Sequence, residues 1–110
     1  MELEIRGRNL SLSEPLEHLV EHRLDAALGR FAEEIRRVDV KLADLHGPRG
    51  GVDKRCRVEV ILEHGGSVRA ESTEEHLRDA IDLAAHRVGR RLGRRLDRGA
   101  SHRRGLRLAG

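Results

Sequence analysis

The chain has 110 residues and a mass of 12.4 kDa, the size of one domain with a single two-layer core. Apolar and charged residues each make up 37% of it, and because the apolar residues recur periodically, a thin-cored globular domain is favoured over a disordered chain. The net charge is only +3, but residues 1–82 hold 13 Lys/Arg against 18 Asp/Glu (−5) and residues 83–110 hold 9 against 1 (+8). This asymmetry favours a polyanionic partner for the basic end, either nucleic acid or an anionic membrane surface.

Cysteine content and the N-terminus indicate where the protein works. Cys56 is the only cysteine, so no internal disulfide is possible and a reducing compartment is expected. The N-terminal MELEIRGRNL lacks the apolar core of a signal peptide, and no apolar run approaches the length of a membrane span. The sequence therefore predicts a cytoplasmic protein with no membrane partner.

The first half of the chain has the patterns of a strand, a helix and a second strand. Residues 3–9 alternate apolar and polar side chains, as a strand with one buried face does. Ser13 is a suitable N-cap, and the apolar stripe after it predicts a helix over about 14–30, with Gly29 as a place where it would break. Residues 38–43 alternate again and predict a second strand.

The next segment predicts a hairpin. Residues 54–63 place four apolar side chains on one face and give the strongest strand pattern in the chain. The Gly65-Gly66 pair predicts a two-residue turn into a fourth strand over 67–72.

A second helix follows. Ser72 and Glu75 have the spacing of a capping box, with Thr73 as an alternative cap, and an apolar stripe continues to about Arg98. Residues 99–110 are rich in Gly and Arg without a sustained period, which predicts a disordered basic tail.

These elements predict an α+β fold in the order β-α-β-β-β-α, a two-layer domain over residues 1–98 with two helices packed on one face of a four-stranded sheet. The other face of the sheet would be exposed to water and mixed in charge. It would carry Arg6, Arg8, Lys41, Arg55, Arg57 and Arg69 among Glu4, Asp39, Glu59 and Glu71.

The second helix carries a row of arginines beside its apolar stripe. At about 100° per residue they fall within an arc of about 100°. The row consists of Arg87, Arg90, Arg91, Arg94 and Arg98. A guanidinium group donates paired hydrogen bonds to phosphate oxygens and stays charged at any relevant pH. The row therefore predicts a surface for a phosphate backbone, against the alternative of a solvated helix face.

Aromatic residues are nearly absent, which narrows the kind of nucleic-acid recognition. The chain has no Trp or Tyr, and Phe31 lies on the buried stripe of the first helix. Modules that stack single-stranded bases on aromatic platforms are disfavoured. Recognition of the backbone and shape of a folded RNA is expected instead.

Three other features have weaker functional interpretations. The segment from His18 to His22 matches the H-x-x-E-H zinc pattern, but a catalytic zinc site needs a third ligand and a cleft, so exposed histidines are expected. Cys56 is expected to fill the core rather than act as a nucleophile. The loop over 46–51 lacks the ending of a P-loop, and two interpretations stay open for it: a mobile connection, or a flexible finger that brings Arg49 and Lys54 near a phosphate.

Four stretches of the chain stand in a specific order and spacing. They are EIRGRNLSLSEPL at 4–16, Val38-Asp39-Val40-Lys41-Leu42, the Gly65-Gly66 hairpin with Val68-Arg69-Ala70-Glu71, and Ala80-Ile81-Asp82 followed by spaced basic residues. Together, over about residues 2–98, they resemble the short form of the ribosome hibernation-promoting factors, also called ribosome-associated inhibitors or sigma-54 modulation proteins. His76 and Arg78 depart from that family, which commonly has an acid and an aromatic there, and Arg78 adds charge.

The resemblance implies the same fold and a ribosome-associated translation inhibitor. Such a protein binds the small ribosomal subunit and its ribosomal RNA during stationary phase or stress, in the channel where mRNA and tRNA would lie. It implies no catalysis, no cofactor, no metal and no small-molecule substrate. By position, RNA contact falls on the arginine row of the second helix. The complete set of candidate RNA-binding residues is Arg87, Arg90, Arg91, Arg94, Arg98, Arg78, Arg6, Arg8, Arg55 and Arg57.

A rival interpretation is a protein-interaction regulator that binds an acidic protein through the mixed-charge sheet face. An enzymatic rival rests on His18 and His22 alone. Short members of the resembled family differ in whether they favour or oppose ribosome pairing, and the basic tail is compatible with either.

Overall fold

A computed structural model describes residues 2–45 and 51–109 of the chain, with side chains as far as Asp97. In chain order the elements are β1 (Glu2–Arg8), α1 (Glu14–Leu28), a short 3-10 helix (Gly29–Glu34), β2 (Ile35–Asp44), β3 (Lys54–Leu62), β4 (Ser67–Glu74) and α2 (Leu77–Ala109). The predicted β-α-β-β-β-α order and the two-layer architecture are confirmed.

The four strands form one mixed sheet in the order β1-β2-β3-β4. β1 runs parallel to β2, and the other neighbours are antiparallel. Because parallel neighbours need a crossover connection, the chain between β1 and β2 forms α1, which packs beside α2. An ion pair of 2.5 Å from Arg23 to Asp82 joins the two helices. β1 and β4 are left as the edges of the sheet.

The core lies between the helices and one face of the sheet. β3 shows the predicted alternation, since Cys56, Val58 and Val60 are buried and the side chains between them are half-buried on the opposite face. Both predicted helical stripes are buried as well. They contribute Val20, Leu24 and Leu28 from α1 and Ile81, Ala84, Val88 and Leu92 from α2.

The hairpin between β3 and β4 is longer than predicted. It has four residues, 63–66, because β3 ends at Leu62 and β4 begins at Ser67. Gly65 and Gly66 still make the turn, with φ values of 96° and 84° that L-residues rarely adopt. The prediction of a two-residue turn was wrong, because the hairpin closes with a hydrogen bond from the Leu62 N–H to the Gly66 carbonyl at 3.0 Å, so that Glu63 and His64 also lie in the turn.

The predicted capping box at the start of the second helix is also wrong. β4 continues to Glu74 and pairs Ser72 with Cys56 across the sheet. Ser72 is only 3% exposed, so its hydroxyl belongs to the strand layer, and α2 begins at Leu77. Tertiary pairing of the strand overrides the local capping signal.

The ends of both helices can be compared with the sequence pattern. α1 ends at Leu28 and Gly29 opens the 3-10 helix, as the expected break implied. α2 continues through Ala109, beyond the end predicted near Arg98 and through the segment predicted as a disordered tail. Residues 99–109 contain no proline and several good helix formers, so the two glycines there oppose the helix by only about 1 kcal/mol each.

Two glycines of α2 have different surroundings, which predicts opposite effects of replacing them with alanine. A Cβ on Gly89 would lie 3.0 Å from the Ala27 carbonyl oxygen of α1, whereas a Cβ on Gly93 would lie at an ordinary 3.5 Å from the Phe31 ring. We expect G93A to raise the free energy of unfolding by about 0.5–1 kcal/mol through helix propensity. We expect G89A to lower it by about 1–3 kcal/mol, because the backbone of α1 must give way.

Urea denaturation followed by circular dichroism measures both effects. Equal stabilisation by G89A and G93A would contradict the close helix contact.

Candidate nucleic-acid interface

The five arginines between residues 87 and 95 of α2 fall into two sets. We call Arg87, Arg91 and Arg95 the inner arginines, because their guanidinium groups reach the edge strand β4. Their Nη1 atoms donate to the backbone carbonyls of Glu71 at 2.8 Å, Arg69 at 2.5 Å and Ser67 at 2.9 Å, in that order. The helix and the strand therefore run antiparallel, with three hydrogen bonds between them.

The repeat of this contact follows from the geometry of the two elements. Residues four apart on a helix are separated by about 6 Å along its axis. Carbonyls on alternate residues of a strand are separated by about 6.8 Å. Because the two spacings nearly match, arginines at i, i+4 and i+8 meet three outward carbonyls in succession.

The contact has two physical consequences. An edge strand otherwise presents unpaired carbonyls, which invite pairing with another chain, and the inner arginines occupy three of them. Each guanidinium group has five N–H donors, so one bond to a carbonyl fixes its position and leaves donors for a ligand. The inner arginines are thus held in place with hydrogen-bonding capacity to spare.

Arg90 and Arg94 form the other set, and we call them the outer arginines. Both are exposed, and neither has a hydrogen-bond or ion-pair partner within residues 2–45 and 51–97. Arg98 follows at the same helical spacing, but its side chain lies outside the described part of the chain. The outer arginines are therefore full positive charges that face solvent.

Arg95 is the member of this surface that sequence reasoning missed. On a helical wheel it lies about 80° from Arg87, towards the apolar stripe, so it falls outside the arc of the row. The signal that would have found it is the i, i+4, i+8 repeat through Arg87 and Arg91, considered together with an adjacent edge strand.

A second basic surface lies on the open face of the sheet. Strand register aligns Arg6, Lys41 and Arg57 in one row and places Arg8 and Arg55 on either side of Ala43 in the next. We call these five cations the sheet-face basic patch. They line a shallow depression of about 210 Å³ whose lining contains no carboxylate. The structure thus brings together the four predicted sheet arginines and adds Lys41.

The cations of this patch differ in how far they are neutralised. Arg6 pairs with Glu4 at 2.6 Å and Arg57 with Glu71 at 2.9 Å. The hydrogen bond from Arg57 lowers the pKa of Glu71, which keeps that carboxylate ionised. Arg8 and Arg55 have no hydrogen-bond or ion-pair partner among the side chains that the structure describes.

An acidic row separates the rest of the sheet face from this patch. Register aligns Glu4, Asp39 and Glu59 across three strands. Arg69 donates to Glu59 at 2.9 Å, and this hydrogen bond lowers the pKa of Glu59. Among the described side chains, the open face therefore has unpaired cations at the end of β1 and carboxylates paired with arginines across its middle.

Glu71 lies where the two basic surfaces meet. Its carboxylate pairs with Arg57 on the sheet face, and its carbonyl accepts from Arg87 of α2. A band of positive charge therefore runs from the sheet-face basic patch around the β4 edge to α2, with one carboxylate at the junction. Arg78 is exposed at the first turn of α2 and makes no hydrogen bond or ion pair with the described side chains.

The competing features do not form a site within the described residues. His18 and His22 are exposed on α1, and no group of three or more metal-ligating side chains occurs in that part of the chain.

Cys56 is buried, and desolvation raises the pKa of its thiol to about 12, so it is not a nucleophile at neutral pH. Arg49 lies outside the described residues. None of the described helices is long and apolar enough to cross a membrane.

Solved structures of known proteins share this fold. A ribosomal subunit interface protein from Coxiella burnetii superposes with a TM-score of 0.72 at 19% identity and covers 88% of this chain and 99% of its own. The N-terminal domain of Thermus thermophilus Protein Y superposes with a TM-score of 0.70 at 27% identity and covers 86% of this chain and 98% of its own. The first likeness is one of fold alone.

Curated relatives are similar in sequence. The chloroplastic ribosome-binding factor PSRP1 of Spinacia oleracea is 30% identical over 104 residues, which are 93% of this chain and 34% of that protein. The ribosome hibernation promotion factor of a Picosynechococcus strain is 30% identical over 92 residues, 84% of this chain and 47% of that protein. The chain thus spans between a third and a half of the length of these relatives.

A family profile covers nearly the whole domain. The profile described as Sigma 54 modulation protein / S30EA ribosomal protein matches residues 3–99, from β1 into the basic half of α2. The chain therefore belongs to the Sigma 54 modulation protein / S30EA ribosomal protein family.

Proposed function

We propose that this protein binds the small ribosomal subunit in the channel for mRNA and tRNA during stationary phase or stress, and that it inhibits translation by occupying that channel. The observation that carries the proposal is the continuous basic band of α2, the β4 edge and the sheet-face basic patch. The names of the relatives, a ribosome-binding factor and a hibernation promotion factor, support the ribosome as the partner.

The chemistry of the band suits ribosomal RNA. Its positively charged groups are arginines and one lysine, which recognise phosphate oxygens, and the only aromatic residue, Phe31, is a partly buried neighbour of the core. A surface of this kind contacts the backbone of a folded RNA without reading its bases. Steric occupation then needs neither catalysis nor a cofactor, and the protein works in the cytoplasm.

We assign this binding to residues 1–98, which contain both basic surfaces. Residues 99–110 add Arg103, Arg104 and Arg107 with no further acid, so they extend the positive charge beyond the domain. This division is a proposal about function, since α2 itself runs across the boundary.

Ribosome binding is expected to weaken steeply with salt. If about six phosphates are neutralised, the log-log slope of affinity against salt is about −4 to −5. Affinity then falls by a factor on the order of 10²–10³ between about 50 and 200 mM salt. Co-sedimentation of the purified protein with purified small subunits at these two concentrations measures the slope, and absence of co-sedimentation at the lower one would refute the proposal.

Removing the charge of Glu71 should strengthen ribosome binding. The carboxylate repels phosphate and neutralises Arg57 at the junction of the two basic surfaces, whereas its backbone carbonyl, which holds Arg87, is unaffected by the side chain. We expect E71Q to bind small subunits about 2–5-fold more tightly at low salt, in keeping with an exposed ion pair of 0.2–1 kcal/mol. Glu63→Gln, in the exposed hairpin, is the matched control.

Filter binding at low salt is sensitive enough to resolve this gain. Binding by E71Q no tighter than by the Glu63→Gln control would show that the junction does not face RNA.

A second candidate function is binding to an acidic protein. The observation that favours it is the alternation of paired charges on the open sheet face, where Arg37 joins Asp39 and Arg69 joins Glu59. A partner recognised there would not need the outer arginines of α2, so charge reversal on α2 separates the two functions.

A further inference from the structure

We infer that the cleft between α2 and the β4 edge is a phosphate site, in which Arg69, Arg91, Arg94 and Arg95 bind one phosphodiester group of the RNA backbone. The cleft has a volume of about 320 Å³ and is lined by these four arginines with Ser67 and Val68. This volume is several times the ~30 Å³ share of one water molecule, so a phosphate group fits. The inference rests on the proposed function for the identity of the ligand, an RNA, and deepens it by naming the subsite.

The electrostatics of the cleft select an anion. Its lining includes four arginines and no carboxylate, and of the four only Arg69 is paired with a carboxylate of the described residues, that of Glu59. The carbonyl oxygens of Ser67 and Arg69 would repel an anion at the strand edge, but Arg95 and Arg91 already donate to them. The exposed polar groups that remain in the cleft are mainly N–H donors, the arrangement that a phosphate oxygen requires.

The hairpin glycine makes room for Arg95. A Cβ on Gly66 would collide with the Nη2 atom of Arg95, and the φ value of Gly66 is +84°. The guanidinium of Arg95 therefore lies close against the backbone of Gly66 at the hairpin. The bond from Arg95 to the Ser67 carbonyl at 2.9 Å holds the group in place before any ligand binds. Preorganisation of this kind reduces the entropy lost on binding.

The other members differ in their freedom. Arg94 is exposed and has no partner among the described residues, so it can move onto a bound phosphate. Arg69 donates through Nε to Glu59 and is 72% exposed, so its terminal nitrogens stay available. The site thus combines two anchored guanidinium groups with two that are able to adjust.

Arg95 is the residue that tests the site, because it lies inside the cleft and outside the arc that charge patterning alone selects. We expect R95Q to lower the affinity for purified small subunits about 5–20-fold at low salt and to make the salt slope shallower by about 0.7–0.9, as loss of one phosphate contact does. R95K keeps the charge but lacks the fork that reaches the carbonyl and the phosphate together. It should lose at least about 3-fold in affinity with the slope unchanged.

The control is R36Q, which removes the same charge from an exposed arginine of β2 that lines neither the cleft nor the sheet-face basic patch. It should stay within about twofold of the wild type, since a distant surface charge acts only through screened Coulomb forces. Circular dichroism and thermal unfolding verify that all three variants fold. The phosphate site would be refuted if R95Q lost no more affinity for small subunits than R36Q, or if R95K kept the wild-type affinity.

A separate measurement distinguishes failure of the site from failure of the ribosomal function. Inorganic pyrophosphate is titrated into the full chain while the Nε–Hε resonances of the arginines are followed by NMR. Shifts at Arg91, Arg94 and Arg95 in the wild type that are lost in R95Q would support the phosphate site. They would do so even if the wild type failed to bind ribosomes, and the ligand would then be a free phosphate compound. Shifts spread equally over all exposed arginines would mean that no such site exists.

Discussion

Reversing both outer arginines, in the variant R90E/R94E, is expected to lower the affinity for small subunits by at least about 100-fold at low salt. Each lost charge-assisted contact is worth about 1.5–3 kcal/mol, and two of them correspond to roughly 10²–10⁴ in affinity. The fold should be unaffected, because neither side chain has a partner among the described residues. Co-sedimentation with purified small subunits measures the loss.

The control for this variant carries the same change in net charge elsewhere. Arg36 and Arg37 are exposed in β2 and line neither the cleft beside α2 nor the sheet-face basic patch, so R36E/R37E shifts the net charge by the same amount away from α2. We expect it to lose less than about tenfold, by long-range electrostatics alone. If R90E/R94E bound small subunits as well as this control, α2 would not be the RNA surface. That result would support the alternative function, binding to an acidic protein.

The second large effect is expected on the open face of the sheet. Arg8 and Arg55 are the two arginines of the sheet-face basic patch without a partner in the described part of the chain, whereas Arg6 and Arg57 are already paired with carboxylates. We expect R8E/R55E to lower the affinity about 10–50-fold, since two unpaired cations at the rim of one depression are replaced by repulsive charges.

Neutral replacement of the paired arginines is the matched comparison for R8E/R55E. R6Q/R57Q removes two cations from the same patch, but both are already paired with the carboxylates of Glu4 and Glu71. At elevated salt we therefore expect a smaller loss of affinity for each charge removed than in R8E/R55E. Wild-type affinity in R8E/R55E would confine RNA contact to α2 and the β4 edge.

The junction at Glu71 gives the two surfaces a physical connection. The same residue neutralises Arg57 with its carboxylate and positions Arg87 with its carbonyl. A ligand that bends around the β4 edge would meet both surfaces, whereas a ligand that binds one face would meet only one. The two charge reversals distinguish these cases, because a ligand that meets both surfaces loses affinity in R8E/R55E and in R90E/R94E, whereas a ligand on one face responds strongly to only one of them.

Several features of this protein are determined by the sequence alone. The order of strands and helices follows from local periodicity, since a strand of period two and a helix of period 3.6 leave different apolar patterns in residues 54–63 and along α2. The outer arginines follow from the same helical period. Family membership was predicted from four ordered stretches, and the profile match over residues 3–99 confirms it.

The tertiary structure decided the features that depend on which elements become neighbours. Ser72 has a capping signal, but pairing with Cys56 places it in the sheet. Arg95 looks peripheral on a helical wheel, but α2 runs along the β4 edge and brings it to the Ser67 carbonyl beside Gly66. Strand register sets Arg57 against Glu71 and leaves Arg8 and Arg55 unneutralised. Local periodicity carries no information on these long-range contacts, because strand register and helix position are set by packing of the whole core.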